Sequence, residues 1–324
     1  MSGVQNIEVK PDDDDVRIDR WFKRHFPGVS FGQLQKIMRK GEVRLDGKRV
    51  KGKERVFAGQ IVRVPPLGDN ARKPAPKNPR PRLSEQDIKE VRSWVIYEDE
   101  AVIAINKPAG LPTQGGTGQS CHVDGLLDAL RGNSEHRPKL VHRLDKDTSG
   151  ALLLGRSPKA AAVLAKAFQS RETDKRYWAL VAGTPKERDG RISVKMDKVA
   201  AKGHERMVVS ADGKPSLTDY SVIESAGQMA SWLALKPHTG RTHQLRLHCA
   251  EMGHPIVGDG KYGGQAAFLT GAISRKLHLH SRFITFPHPD GGMLTVTAPL
   301  PEHISASFDF LGFTVGDYED PDFE

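Results

Sequence analysis

Residues 141–155 read VHRLDKDTSGALLLG. A polar turn carrying Arg143, Asp145, Asp147 and Thr148 runs directly into the apolar stretch ALLLG. A short run with no polar face suits a strand covered on both sides. A carboxylate at the mouth of such a rigid strand suits a positioned chemical group. The same residues would also make a plain capped turn, with Asp145 or Thr148 bonding the backbone. Outward from this strand the pattern is strands with occasional helices. WVIYEDE and AVIAINKP, residues 94–108, read as a hairpin pair. Ser157-Pro158 opens an Ala-rich helix to about Ser170, with proline in the permitted first turn. RYWALVAG from Arg176 and SWLALKP from Ser231 read as further strands. Residues 94–314 are therefore expected to form an α+β domain, a mixed and mainly antiparallel sheet with flanking helices.

Ahead of that domain the charge is uneven. The 324 residues carry a net charge of +9, yet residues 17–65 alone hold 14 Lys/Arg against 4 Asp/Glu, a balance of +10. A basic segment beside a near-neutral one suggests a docking module for polyanions, against the alternative of a solvated surface. Ile18, Trp21, Phe22 and Phe26 recur at helical spacing. Ser30 and Gln33 make a capping-box pattern, Gly41 is a helix stop, and Asp46-Gly47 marks a tight hairpin. This helix, helix, hairpin order over residues 16–65 resembles the S4 RNA-binding domain, with RIDRWF and KGEVRLDGKRV where that family has them. The resemblance implies RNA contacts from Arg17, Arg20, Lys36, Arg39, Lys40 and Lys48. Residues 1–15 read as an acidic extension and 66–93 as a Pro/Lys/Arg-rich linker. Residues 315–324 read as an acidic frayed tail.

Within the larger domain, His142-Arg143-Leu144-Asp145 followed by Asp147-Thr148-Ser149-Gly150 matches the HRLDxxTSG signature. KRYWALVAG from Lys175 and TGRTHQLR from Thr239 resemble two further segments of the same family, in its order. NKPAGL from Asn106 and GHPIVGDGKYG from Gly253 extend the match. The chain is thus identified as similar to the RluA-type pseudouridine synthases. With an S4-like segment in front, it most resembles the RluC-like branch, which acts on large-subunit ribosomal RNA; transfer RNA is the alternative substrate.

The resemblance implies a chemistry that needs no cofactor: the N1–C1′ bond breaks, the base rotates and C5 rejoins the sugar. It implies that the target uridine is flipped from its stack, at a cost of roughly a few kcal/mol. Arg143 would fill the gap it leaves, as a guanidinium can stack on bases while pairing with phosphate. Its plainer alternative is a salt bridge to Asp145 or Asp147. Asp145 would attack C1′ or draw a proton from C2′, and both routes need an ionised carboxylate beside a cation. Arg241 is the matching cation, although it would serve equally as a surface arginine. Tyr177 would pack on the base and take part in proton transfer, where periodicity alone makes it a strand aromatic. Lys107 is a candidate phosphate contact, or else a solvated turn residue.

Other classes fit poorly. His243 and His248 are five apart, off the register of a helical zinc pair, so no metal is expected. A glycosidase needs two opposed carboxylates, and Asp147 stands too close in sequence to Asp145 for that. No apolar run reaches the roughly 18 residues of a membrane span. The two cysteines, Cys121 and Cys249, are in no metal or disulfide pattern, so a reducing cytoplasm is expected, and a monomer is expected because the large RNA substrate supplies the binding partner. The rival of a different kind is a ribosome-assembly factor with an inactive synthase domain. Such a binder would not need Asp145, Tyr177 and Arg241 together.

Overall fold

Ile18, Trp21 and Phe22 fall on one side of a helix and pack with Phe26, Leu34 and Met38 into one apolar cluster. The computed structural model describes residues 3–68, 71, 83–115, 121–170, 172–201, 204–318, 321 and 323. The chain divides into two units, Met1–Pro81 and Arg82–Glu324. In the first, β1 (Gln5–Glu8), β2 (Val16–Arg17), α1 (Ile18–His25), α2 (Phe31–Arg39), β3 (Arg44–Leu45), β4 (Lys48–Arg49), β5 (Arg55–Val56) and β6 (Ile61–Val64) follow in order. The sheet runs β1-β6-β3-β4, and β2 pairs β5. Ser30 accepts the Gln33 N–H at the start of α2. Asp46 and Gly47 both take positive φ, 47° and 76°, as the tight hairpin between β3 and β4 demands.

The acidic extension proves to be part of this unit. Gln5–Glu8 pairs antiparallel with Ile61–Val64, and Val9 is buried in the core. Asp13 is buried and ion-paired with Arg24 and with His25, which holds its carboxyl below the usual range despite the opposing effect of burial. A four-residue strand with a single apolar residue, Ile7, carries too little alternation to be legible alone.

The second unit begins earlier than the sequence suggests. Residues 85–93, read as linker, form α3 (Glu85–Ser93), started by a reciprocal capping box between Ser84 and Asp87. Val91 is its buried residue, so the helix has almost no apolar stripe to betray it. Residues 69–70 and 72–82 of the expected linker lie outside the described residues. Then come β7 (Val95–Glu98), β8 (Val102–Lys107), α4 (Val123–Leu126), β9 (Lys139–Leu140), β10 (Ser149–Gly155), α5 (Pro158–Ser170), β11 (Asp174–Ala182) and β12 (Asp189–Ala201). β13 (His204–Val209), β14 (Lys214–Ala226), β15 (Ala230–Pro237), α6 (Gln244–Glu251), β16 (Leu279–Pro287), β17 (Met293–Thr297) and α7 (Glu302–Leu311) complete it.

These strands make one sheet in the order β13-β12-β14-β15-β11-β16-β10-β8-β7, with β17 on β16 and β9 on β10. The pairs are antiparallel except β10 with β16. Strand β10 is buried along its whole length. Ala151 and Leu153 face α5 through Ala160 and Leu164. Leu152 and Leu154 face the other way, onto Val91, Leu127 and Leu130. That is the two-sided cover which the unbroken ALLLG run requires. Gly150 sits at φ 111°, and a Cβ there would lie 2.3 Å from the Ser281 carbonyl oxygen, so the parallel pair can approach only at glycine.

The acidic end of the chain also packs. Tyr318 lies 5.3 Å from the Trp178 ring and 5.1 Å from Trp232, and Arg176 sits 4.4 Å above Phe323. Residues 315–324 were expected to fray; among the described ones, the aromatics Tyr318 and Phe323 pack instead. Tyr318→Ala is expected to cost about 2 kcal/mol, from lost burial and edge-on ring contacts. Chemical denaturation checks this, and a cost below about 0.5 kcal/mol would mean the tail is held elsewhere.

Candidate active site

Strand register brings three segments to one level of the sheet. Gly150 pairs with Ser281, Ser281 with Tyr177, and Tyr177 with Leu235. The turn holding Asp145 enters β10 at this level, and the TGRTH loop leaves β15 two residues beyond Leu235. A bulge between Arg176 and Tyr177 interrupts the pairing of β11 with β16, the kind of irregularity that re-aims a side chain. Arg143, Asp145, Tyr177 and Arg241 all line one cleft of about 130 Å³, together with Lys175, His243 and Arg246.

The turn itself is clamped on both sides of Asp145. The Thr113 hydroxyl donates to the Leu144 carbonyl (2.6 Å) and accepts the Leu144 N–H (3.1 Å). Lys107 Nζ donates to the carbonyls of Lys146 (3.0 Å), Pro108 and Leu111 (both 2.8 Å). Upstream, His142 Nε2 accepts the Leu153 N–H (2.9 Å) while its ring stacks on Phe168 at 4.2 Å. Burial drives His142 down to about 3, so it is a neutral acceptor. Asp145 is thereby held by backbone bonds on either flank and keeps its carboxylate free for the cleft.

Lys107 is fully buried, which overturns its reading as a phosphate contact. Its amine is spent on three carbonyls, and no ligand phosphate could reach it. Burial pushes it down to about 7, against the raising effect of Asp147 and Asp145. Arg143 is exposed and, among the described residues, makes no ion pair with either aspartate, so the salt-bridge alternative falls.

The basic groups that act on Asp145 are not the expected Arg241. Arg241 is exposed, with Nε 3.4 Å from the Pro215 carbonyl, and no ion pair joins it to Asp145 among the described residues. His243 Nε2 lies 3.9 Å from Asp145 Oδ2 instead. Arg246 also acts on Asp145 while held by two 2.7 Å bonds to buried Asp259. Burial would lower Arg246, but the Asp259 pair outweighs it and the net shift is upward. On Tyr177 burial raises the phenol to about 12, the Asp145 charge adding and Ser281 offsetting part. Ser281 Oγ has no hydrogen bond of ordinary geometry, so burial dominates. Tyr177 thus enters any reaction as a neutral phenol.

His243 is strained and oriented. Its φ of 53° is left-handed, which costs a non-glycine residue about 1–2 kcal/mol, and it stands at the start of α6 without a side-chain cap. Tyr262 Oη accepts the Met207 N–H at 3.2 Å, leaving its own proton for His243 Nδ1 at 2.8 Å. In the arrangement where Tyr262 donates to Nδ1, the ring proton sits on Nε2, facing Asp145. Burial first, then Arg246 and Lys261, lower His243 against the opposing pull of Asp145, so the ring is neutral. Tyr262→Phe frees Nδ1 and should lower kcat about tenfold with a smaller change in KM. Steady-state rates across pH check it, and an unchanged kcat and pH profile would leave Tyr262 a packing residue.

His243 and Arg246 stand inside the quoted TGRTHQLR segment, and Asp259 and Tyr262 inside GHPIVGDGKYG. Those strings gave residue types without partners. Thr113 carried no local signal at all.

Residues 101–251 match the family described as RNA pseudouridylate synthase. The chain is 34% identical to Ribosomal large subunit pseudouridine synthase C of Vibrio cholerae, over 93% of this chain and 95% of that protein. It is 34% identical to the protein of the same name from Escherichia coli, over 92% and 94%. The chain belongs to the RNA pseudouridine synthase family. This synthase is also 34% identical to RNA pseudouridine synthase 4, mitochondrial, of Arabidopsis thaliana, covering 96% of the one and 82% of the other. Its fold is similar to Human RNA Pseudouridylate Synthase Domain Containing 4, with TM-score 0.58 and 26% identity over 71% of this chain and 98% of that one. Family members isomerise uridine to pseudouridine, and an inactive assembly factor is the poorer reading.

Proposed function

We propose that this synthase isomerises uridines of large-subunit ribosomal RNA, with Asp145 as the reacting carboxylate. One observation carries the reading: the turn of Asp145 and the side chains of Tyr177, Arg143 and Arg241 meet in one cleft. Relatives that align along nearly the whole chain are named for the large ribosomal subunit, which supports the substrate. In this reading Asp145 attacks C1′ or removes the C2′ proton as N1 departs with the bonding pair. The base turns and C5 bonds to C1′, as the Asp145 carboxylate leaves C1′ on the first route or returns the proton to C2′ on the second; the C5 proton is then released while N1 regains one. Atoms and electrons balance without a cofactor. Arg143 occupies the gap left by the flipped nucleotide, and neutral Tyr177 packs on the base. Incubating the protein with ribosomal and transfer RNA transcripts and mapping pseudouridine tests this. New sites are expected in large-subunit RNA; sites confined to transfer RNA would overturn the substrate.

The first unit acts in this reading as an S4-type RNA-binding domain. Arg17, Arg20, Lys36, Arg39, Lys40 and Lys48 are all exposed, although Arg17 is paired with Asp19 at 2.7 Å and Lys40 faces Glu42 at 3.6 Å. Changing Lys36, Arg39 and Lys48 to Gln is expected to flatten the salt dependence of RNA binding by about two in log–log slope. An unaltered slope would make this surface a solubility feature only.

A further inference from the structure

Beside the catalytic cleft lies a second cavity of about 540 Å³, and His243 and Arg246 line both. Four exposed cations from three separate segments face into it. Lys146 comes from the catalytic turn, Lys261 from the GDGKYG loop, and Arg275 and Lys276 from the chain leading into β16. One exposed carboxylate, Asp147, opposes them; Asp259 is buried and already satisfied by Arg246. With four exposed cations against one exposed carboxylate among the described residues that line it, the cavity concentrates positive potential.

Two details show that the cations are crowded and directed. The Arg275 guanidinium lies 4.3 Å over the Phe268 ring, which fixes its plane. Burial, then the like charges of Arg246 and Arg206, lower the Lys261 amine, so a bound anion would relieve it. Lys146 follows Asp145 directly in sequence, and Lys107 and Gly110 hold its carbonyl at 3.0 and 2.9 Å. Lys146 and the reacting carboxylate thus stand on adjacent residues of one clamped turn and line adjoining cavities.

We propose that this second cavity is a phosphodiester subsite, gripping the RNA backbone next to the uridine that enters the catalytic cleft. The proposal rests on the RNA reading above and adds to it the path of the strand. Base identity plays no part, since the contacts are charge on phosphate. Another cavity, which shares Arg143, Tyr177 and Arg241 with the catalytic cleft, is more mixed, with Glu172 and Asp174 among its basic residues. The strand is thus held more firmly on the Lys261 side.

The test uses the full-length protein with Lys261, Arg275 and Lys276 changed together to Gln. A control changes Lys89, Lys159 and Lys166, exposed lysines that line neither cavity, and removes the same charge. Binding to a large-subunit ribosomal RNA fragment that the wild type modifies is measured between about 50 and 200 mM salt. The subsite variant is expected to bind at least about tenfold more weakly and to lose about two from the log–log salt slope, while the control keeps the wild-type slope. A subsite variant with the wild-type slope, or a control that loses as much, overturns the proposal. Thermal midpoints verify that both variants fold. Wild-type protein that leaves every ribosomal transcript unmodified would instead sink the substrate reading, by a separate measurement.

Discussion

The expected result for Asp145→Asn is a loss of pseudouridine formation of about a thousandfold or more, with folding preserved. The replacement keeps the size and most of the polarity of the side chain but removes the charge that either route at the sugar requires. The clamps on Asp145 are made by the neighbouring backbone, Leu144 to Thr113 and Lys146 to Lys107, and none uses the carboxylate. His243 Nε2 at 3.9 Å would lose an electrostatic partner and no short hydrogen bond. The variant should therefore melt within about 0.5 kcal/mol of wild type and bind RNA comparably. Single-turnover release of label from C5-tritiated uridine in the RNA measures the rate. Wild-type turnover in the variant would remove Asp145 from the mechanism.

Lys107→Met should have the largest effect on stability, about 3 kcal/mol or more, because three carbonyls lose their donor inside the protein. Methionine keeps the length and apolar stem, so lost packing is a minor part. Activity should fall with it, since the Lys146 carbonyl is one side of the clamp on Asp145. The cost also depends on pH. Burial sets the folded amine near 7, well below its ordinary value of 10.5. Between those limits the unfolded chain holds more protons than the folded one, so stability contributed at this position rises with pH. Below about 7 the buried charge imposes its full penalty; towards 10.5 the penalty is relieved, at the cost of one of three donors. The gap between wild type and Lys107→Met should accordingly widen from pH 7 to pH 10.5. Denaturation at several pH values measures it, and a gap that narrows would place the folded amine above the unfolded one.

These two positions divide what could be read early from what could not. The residue type at 145 and its place before a buried strand were legible, because a polar turn meeting ALLLG is a local pattern. The burial of Lys107 was not, since its acceptors include Lys146, brought in from 39 positions away in sequence. A lysine before a proline otherwise resembles any solvated turn residue. The same holds for the groups that act on Asp145: the neutral His243 and the cation Arg246 lie about a hundred residues downstream, and the fold, with Arg241 turned to Pro215, brought them there in its place.

Local physical chemistry in the chain determined the elements: the Ser30 cap, the Asp46-Gly47 turn, the proline-led helix α5 and the doubly covered strand β10. Each depends on residues a few positions apart, so order along the chain suffices. Tertiary structure alone decided which side chains share the cleft, that β1 and Tyr318 belong to folded units, and that Lys107 faces inward. Those outcomes depend on strand register and on which charges meet after burial, and both are set by segments far apart in sequence.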